Sequence, residues 1–212
     1  MNRIKSILFV ISTINGLCLG NPIIIRPATL EDLNEISCLI TNAYEETFKP
    51  CYAQLFTESD LNKNIDINDF ISKKITYQIN AAQEFITKQS NQEEYGFLIA
   101  YTIKSEKAQK LIGCCRFKKN STNNIHIYLL SINKKFQRHG IGTNLLRHTI
   151  KTFNTSTCTL CVLRNNDIAH TFYQKFGFVQ KGTRALDHQT GELLTDPMAP
   201  ITLVEYSFVV TQ

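Results

Sequence analysis

Two constellations in this chain have residue types and spacings that could do chemistry. The first is Gln137-Arg138-His139-Gly140-Ile141-Gly142-Thr143, set between a strand-like run, Asn124 to Ile132, and a helix-like run, Thr143 to Phe153. A strand, a glycine-bearing turn and a helix N-terminus together form an anion cradle. The first N–H groups of the helix have no intrahelical partner, and the helix dipole favours negative charge there. Gly140 and Gly142 allow backbone to approach a phosphate closely and tolerate positive φ. The spacing excludes two familiar phosphate loops: no Gly-Lys-Ser/Thr follows, and the three-glycine dinucleotide fingerprint is incomplete. Taken alone, the segment leaves an ordinary strand–helix turn open as the alternative. The second constellation follows the next strand-like run: Asn166, then Tyr173 seven residues on, then Gly177-Phe178.

The cysteines carry less. Cys158-Thr-Leu-Cys161 has metal-like spacing, but it lies in a run that reads as strand, where positions i and i+3 point to opposite faces. No second such pair or histidine pair completes a zinc set, so buried structural thiols are expected and no metal site. The net charge of +5 on 212 residues suits an anionic ligand but forms no long Lys/Arg run, which argues against nucleic acid. Hydrophobic content of 43% against 19% charged marks a globular chain of one-domain size.

Residues 1–20 resemble a secretory leader. Arg3 and Lys5 make a positive start, Ile7 to Ile14 a short apolar core, and Cys18-Leu19-Gly20 offers small residues for a cut after Gly20. The apolar run is too short to anchor permanently, so no stable membrane span is expected once the leader is removed. An apolar leader that packs on the domain is the alternative. If the leader directs export, six cysteines remain and disulfides become possible.

The elements that must position the two constellations can be read in order. Ile23-Ile24-Ile25 is a β-branched strand ending at Arg26-Pro27, and Thr29 with Asp32 three residues on reads as a helix start. Leu30, Leu33, Ile36, Ile40 and Ala43 keep a helical period to about Glu46, and Pro50 with the polar Thr57-to-Asn64 stretch reads as a loop. A second helix runs from about Asp66 to Lys88. Strands follow at Tyr95 to Lys104, Lys110 to Lys119 and Asn124 to Ile132, with short polar connections that suit antiparallel hairpins. After the glycine turn and its helix come a strand at Thr157 to Leu163, a helix at Asp167 to Lys175, and strands at Phe178 to Leu186 and Ile201 to Val210.

Gln137-x-x-Gly140-x-Gly142, with the Asn…Tyr…Gly-Phe element starting 24 residues later, resembles the GNAT superfamily of N-acetyltransferases. The order of elements and the opening from Ile23 to Leu33 are similar to that family too, and the resemblance covers about residues 22–210 as one domain. It implies an α+β fold: a central mixed, mostly antiparallel seven-stranded sheet flanked by about four helices. It also implies acetyl-CoA as donor and a primary amine, on a small molecule or a protein, as acceptor, without a required metal. Arg138, His139, Gly140, Ile141, Gly142 and Thr143, with Gln137 opening the turn, would surround the cofactor's pyrophosphate. Leu130, Ser131 and Ile132 would pair with its pantetheine arm through a splayed strand. Asn166 would bind that arm or order the next turn. Tyr173 matches the tyrosine that protonates the departing thiolate, with a buried core tyrosine as the plain alternative. In the histone-acetylating branch a glutamate base precedes the first turn glycine by about fourteen positions; here that position is His126, whose imidazole could take the proton. This departure leaves the base open, with Asp187, His188 and Glu192 as further candidates.

Glu45 and Glu46 could bind a cationic acceptor or stand solvated at a helix end. Acceptor specificity is expected in about Tyr44 to Asp69 and in the Asp187–Pro200 loop. A non-catalytic acyl-CoA-binding sensor or scaffold is the second reading of the same motifs. The leader points to export while the donor is cytosolic, so cytoplasmic residence is the alternative. A monomer or a homodimer is expected.

Overall fold

β-Branched and aromatic residues set the frame. Ile23-Ile24-Ile25 forms the middle of strand β2 (Asn21–Pro27) in the computed structural model, which describes residues 12–18, 21–57, 66–90, 92–105, 108–121, 123–153, 155–186, 193–194 and 201–210. The other strands are β1 (Ser12–Cys18), β3 (Tyr95–Ser105), β4 (Ala108–Ser121), β5 (Asn124–Ile132), β6 (Thr157–Leu163), β7 (Val179–Leu186), β8 (Leu193–Leu194) and β9 (Ile201–Val209). They make one sheet in the order β1-β2-β3-β4-β5-β6-β9-β7-β8. The seven expected strands are all present, and β1 and β8 extend the two edges. Every neighbouring pair is antiparallel except β5 and β6. β1 falls within the leader-like stretch and pairs with β2 from Ser12↔Ile25 to Cys18↔Asn21. A cut after Gly20 would remove β1 and leave β2 as the sheet edge. Residues 1–11 and 19–20 lie outside the described residues, as do Asp187, His188 and Glu192.

Among the described residues five α-helices flank the sheet: α1 (Leu33–Ala43), α2 (Lys49–Thr57), α3 (Ile67–Gln89), α4 (Ile141–Phe153) and α5 (Asp167–Phe176). The approach to α1 is clamped by a guanidinium fork, with both terminal nitrogens of Arg26 at 2.7 Å from the Asp32 carboxylate. The Thr29 N–H also donates to Asp32, at 2.7 Å. Asp66 caps α3 by accepting from Asn68 N at 2.8 Å.

One expectation needs correction. Pro50 does not open a loop. A π-helical turn, Tyr44–Phe48, continues α1 directly into α2, and Pro50 is the second residue of α2. The wider i→i−5 turn, closed by Lys49 N–H on Tyr44 O, lies immediately before Pro50 and is where a continuous helix can take a residue that lacks an N–H.

Along β3 the side chains alternate between two cores, as the pleat requires. Phe97 and Ile99 join Ile36, Leu39, Ile40, Phe70 and Phe85 under α1 and α3. Leu98 and Ala100 join Ile112, Phe117, Ile125, Ile127, Leu145 and Leu146 on the face carrying α4 and α5. The sheet is therefore buried on both faces, which fixes its register and gives the site a rigid floor. No helix among the described residues is long and apolar enough to cross a membrane.

Candidate active site

The site is built where β5 and β6 part. Their parallel ladder runs only from Asn124↔Thr157 to Ile127↔Leu160, although β5 continues to Ile132 and β6 to Leu163. At the same point β5 carries a bulge. Leu129 pairs with Arg116 and Ile127 with Phe117, so Tyr128 has no opposite number. The extra residue reverses the alternation. Ile125 and Ile127 face α4, but Leu129 packs in the α1 core, and Leu130 and Ile132 turn back to the α4 side. Beyond Ile127, the β6-facing edge of β5 pairs with no strand of the described residues.

The turn after β5 holds its shape through two left-handed residues, Arg138 (φ 66°) and Gly140 (φ 76°). Gln137 Nε2 donates to the Ile132 carbonyl at 3.2 Å, which ties the turn back to the strand end. His139 Nδ1 is 2.8 Å from the Gln137 carbonyl, so its N–H donates there and the ring sits exposed. The first intrahelical bond of α4 is Asn144 N to Gly140 O, at 2.9 Å. The N–H groups of Ile141, Gly142 and Thr143 thus lie ahead of the helical ladder, as an anion cradle needs. Gly142 has a packing reason of its own: a Cβ there would meet Phe172 Cζ of α5 at 3.2 Å.

A cavity of about 1260 Å³ runs from the splayed strands along the turn and between α4 and α5. Its wall includes Leu130, Ser131, Ile132, Gln137, Arg138, Gly140, Ile141, Gly142, Thr143, Asn166 and Tyr173. Eleven of the thirteen residues expected at the site are thus brought together. His139 and His126 are the two that stand apart. His126 lies in a second hollow of about 440 Å³ with Tyr128, Thr159, Arg184 and Glu205. Its Nδ1 is 3.0 Å from Thr159 Oγ1, and burial, then Arg184, lowers its pKa, against a small opposing pull from Glu205.

Tyr173 is only 8% exposed, and its ring packs on Phe172, Phe178 and Tyr206. Burial, then the neighbouring thiols Cys115 and Cys158, pushes its phenol pKa far up, so it keeps its proton at neutral pH. Asn166 has a clear structural task, because its side chain accepts from Ala169 N at 3.2 Å and caps α5. Gly177, at φ 111°, ends the same helix with its N–H on Tyr173 O and Gln174 O. Cys114, Cys115 and Cys158 are buried, and burial raises the first two thiols to about 12.

Sequence reasoning missed two parts of the wall. One is its charge: Lys110, Lys134, Lys135, Arg138, Arg147, Lys151 and Lys175 line it, against one carboxylate, Glu46. Arg147 and Lys151 stand four apart on α4, a spacing legible in sequence but common on solvated helix faces. The other is the α1 residues Leu39, Asn42 and Ala43, which line the cavity beside Glu46 and Thr47 of the expected acceptor region. The hydroxyls of Ser131 and Thr155, both buried and both on the wall, have no hydrogen-bond partner.

A splayed parallel pair, a left-handed glycine turn on a helix N-terminus and a tyrosine-bearing helix beside them define an acyl-CoA-type transferase fold. The family model described as the acetyltransferase (GNAT) family matches residues 44–178, and the chain belongs to that family. Solved structures of similar fold include a PaiA N-acetyltransferase from Thermoplasma acidophilum in complex with coenzyme A. It is 22% identical over 86% of this chain and 97% of its own, with a TM-score of 0.60. An N-acetyltransferase from Staphylococcus aureus is 19% identical over 88% of this chain and 98% of its own, with a TM-score of 0.56. A spermidine N-acetyltransferase from Vibrio cholerae, solved with coenzyme A and spermine, is 13% identical over 88% and 95%, also at 0.56.

Proposed function

We propose that this protein transfers the acetyl group of acetyl-CoA to a primary amine by direct attack. The observation that carries the reading is the unpaired edge of β5, which leads from the glycine turn into a cavity walled by Tyr173. The chain's residues fit the donor. The turn and the first N–H groups of α4 suit a pyrophosphate, and seven cations on the wall suit a polyanion. Backbone at Leu130 points away from β4 and suits an amide-bearing arm, whereas Ser131 faces Cys114 across the β4 ladder and the Ile132 carbonyl is already held by Gln137.

The amine attacks as the free base. Its nitrogen bonds to the thioester carbon, and the resulting oxyanion is stabilised by backbone N–H groups of the unpaired β5 edge. The carbon–sulfur bond then breaks, Tyr173 gives its proton to the thiolate, and the strongly basic phenolate recovers a proton from solvent before the next turnover. The extra proton of the amine leaves to solvent, because His126 lies in the second hollow and is not placed to take it directly. A thiol of pKa ~8.5 is already a fair leaving group, so Tyr173 contributes on the order of 10²-fold to the rate.

The test is coenzyme A release on mixing the protein and acetyl-CoA with a panel of amines. Tyr173→Phe should lower kcat about 10²-fold with little change in donor affinity. Donor binding without release on any amine would favour a sensor or scaffold instead, and unchanged turnover would remove Tyr173 from the chemistry.

A further inference from the structure

Glu45 and Glu46 are neighbours in sequence with different surroundings. Glu45 is engaged one turn along the helix, with Lys49 Nζ at 2.9 Å. Glu46 stands on the stripe Leu39, Asn42, Ala43, Glu46, Thr47, whose three- and four-residue spacing is one face of a helix, and that whole face lines the large cavity. Among the described residues of the wall Glu46 is the one carboxylate, against seven cations. On β5, the bulge at Tyr128 turns Leu129 into the α1 core, and Ser131, two residues on, shares that side. Ser131, 5% exposed as a residue, lines the cavity, and its buried hydroxyl has no partner. A buried hydroxyl without a partner costs free energy that a ligand donor restores. On the wall of one cavity, an unengaged carboxylate accepts and an unengaged hydroxyl can accept as well as donate, so an amine N–H suits both.

We propose that Glu46 and Ser131 form the acceptor subsite and select an alkylamine carrying a second positive charge. Glu46 pairs with the distal ammonium, and the Ser131 hydroxyl accepts from the N–H of the reacting amine. This assignment rests on the amine-acetylation reading above, and it adds the class of amine. A cation is otherwise repelled by the wall, so the carboxylate decides where it can sit.

The full-length chain loaded with coenzyme A is titrated calorimetrically with cadaverine and with the amino alcohol of equal length. The intact protein should bind cadaverine about tenfold more tightly, roughly one charge-assisted hydrogen bond. Glu46→Gln should erase that preference, Ser131→Ala should weaken both ligands, and Glu45→Gln should change neither. Equal affinities in the intact protein, no cadaverine binding, or a preference that survives Glu46→Gln would each overturn the assignment. Coenzyme A release on mixing the same variants with acetyl-CoA and cadaverine, in place of coenzyme A, separates the two readings. Glu46-dependent binding without release sinks acetyl transfer to this amine class and keeps the subsite. Acetylation with Glu46-independent preference keeps transfer and sinks the subsite.

Discussion

Gly140 is the position at which the anion cradle can be perturbed without filling it. A Cβ added there would meet nothing nearer than Asn144 Nδ2, at 3.9 Å. The whole cost of Gly140→Ala therefore comes from φ +76°, a left-handed backbone that costs an L-residue about 1–2 kcal/mol. That cost can surface in two ways. If the turn keeps its shape, the folded state carries the strain and Tm falls by roughly 2–4 °C per kcal/mol for a chain of this size. If the free turn relaxes, Tm holds, and rebuilding the cradle weakens coenzyme A binding by roughly 5–30-fold. Stability loss and binding loss together should come to the same ~1–2 kcal/mol. Gly140→Asn should recover most of it, because asparagine visits the left-handed region more readily. Gly142→Ala is the contrast. Its Cβ would press on Phe172 Cζ at 3.2 Å, so its effect is on the packing of α4 against α5 and appears in Tm. Circular-dichroism melts and calorimetric titration with coenzyme A give both numbers. An alanine variant equal to the parent in both, or an asparagine variant no better than alanine, would refute the assignment of strain to this turn.

Further outcomes follow from the charges. Burial alone would raise the Asp32 carboxyl, but the hydrogen bonds from Arg26 and Thr29 outweigh it and hold the folded value below the ordinary one. The contribution of this pair is therefore complete above the unfolded value of about 3.9 and is lost as pH falls through the folded value. Urea melts across that window should show Asp32→Asn less stable at neutral pH and flatter in its acid limb; parallel pH profiles would contradict this. The cationic wall predicts coenzyme A affinity that weakens several-fold from low to high salt, with Lys151→Glu reducing both the affinity and its salt slope. A salt-independent affinity would show that wall charge plays no part.

The frame was legible in sequence because each core strand repeats every two residues and each helix keeps its own period. The strand at Ile23–Ile25, the helical run from Thr143 to Phe153 and the helix from Asp167 to Lys175 all read correctly for local reasons. The misses share one cause, which is that insertion and pairing are not local. Simple alternation along β5 would set Leu129 beside Ile127 on the α4 side. The bulge at Tyr128 puts it in the other core, and nothing in the run Ile127-Tyr128-Leu129 marks the break. Pro50 is a breaker by type, yet the π-helical turn just before it lets the helix continue through it, and that turn is not marked in the sequence. The cavity's cations come from β4, the turn, α4 and α5, so their convergence is visible only once the chain has folded.

The short β5–β6 ladder also divides the sheet in a way that the strand count conceals. β1 to β5 form one antiparallel block from the first part of the chain, and β6, β9, β7 and β8 form a second from the last part. Among the described residues four residue pairs make up the strand pairing that joins them, with α4 as the covalent strap. The cavity begins where that seam opens. A ligand lying in the gap and bonded to both margins lengthens the seam as a strand would, so its binding free energy becomes cohesion between the two blocks. The donor is in this sense a removable structural member, and each turnover that releases it returns the protein to its loosest form.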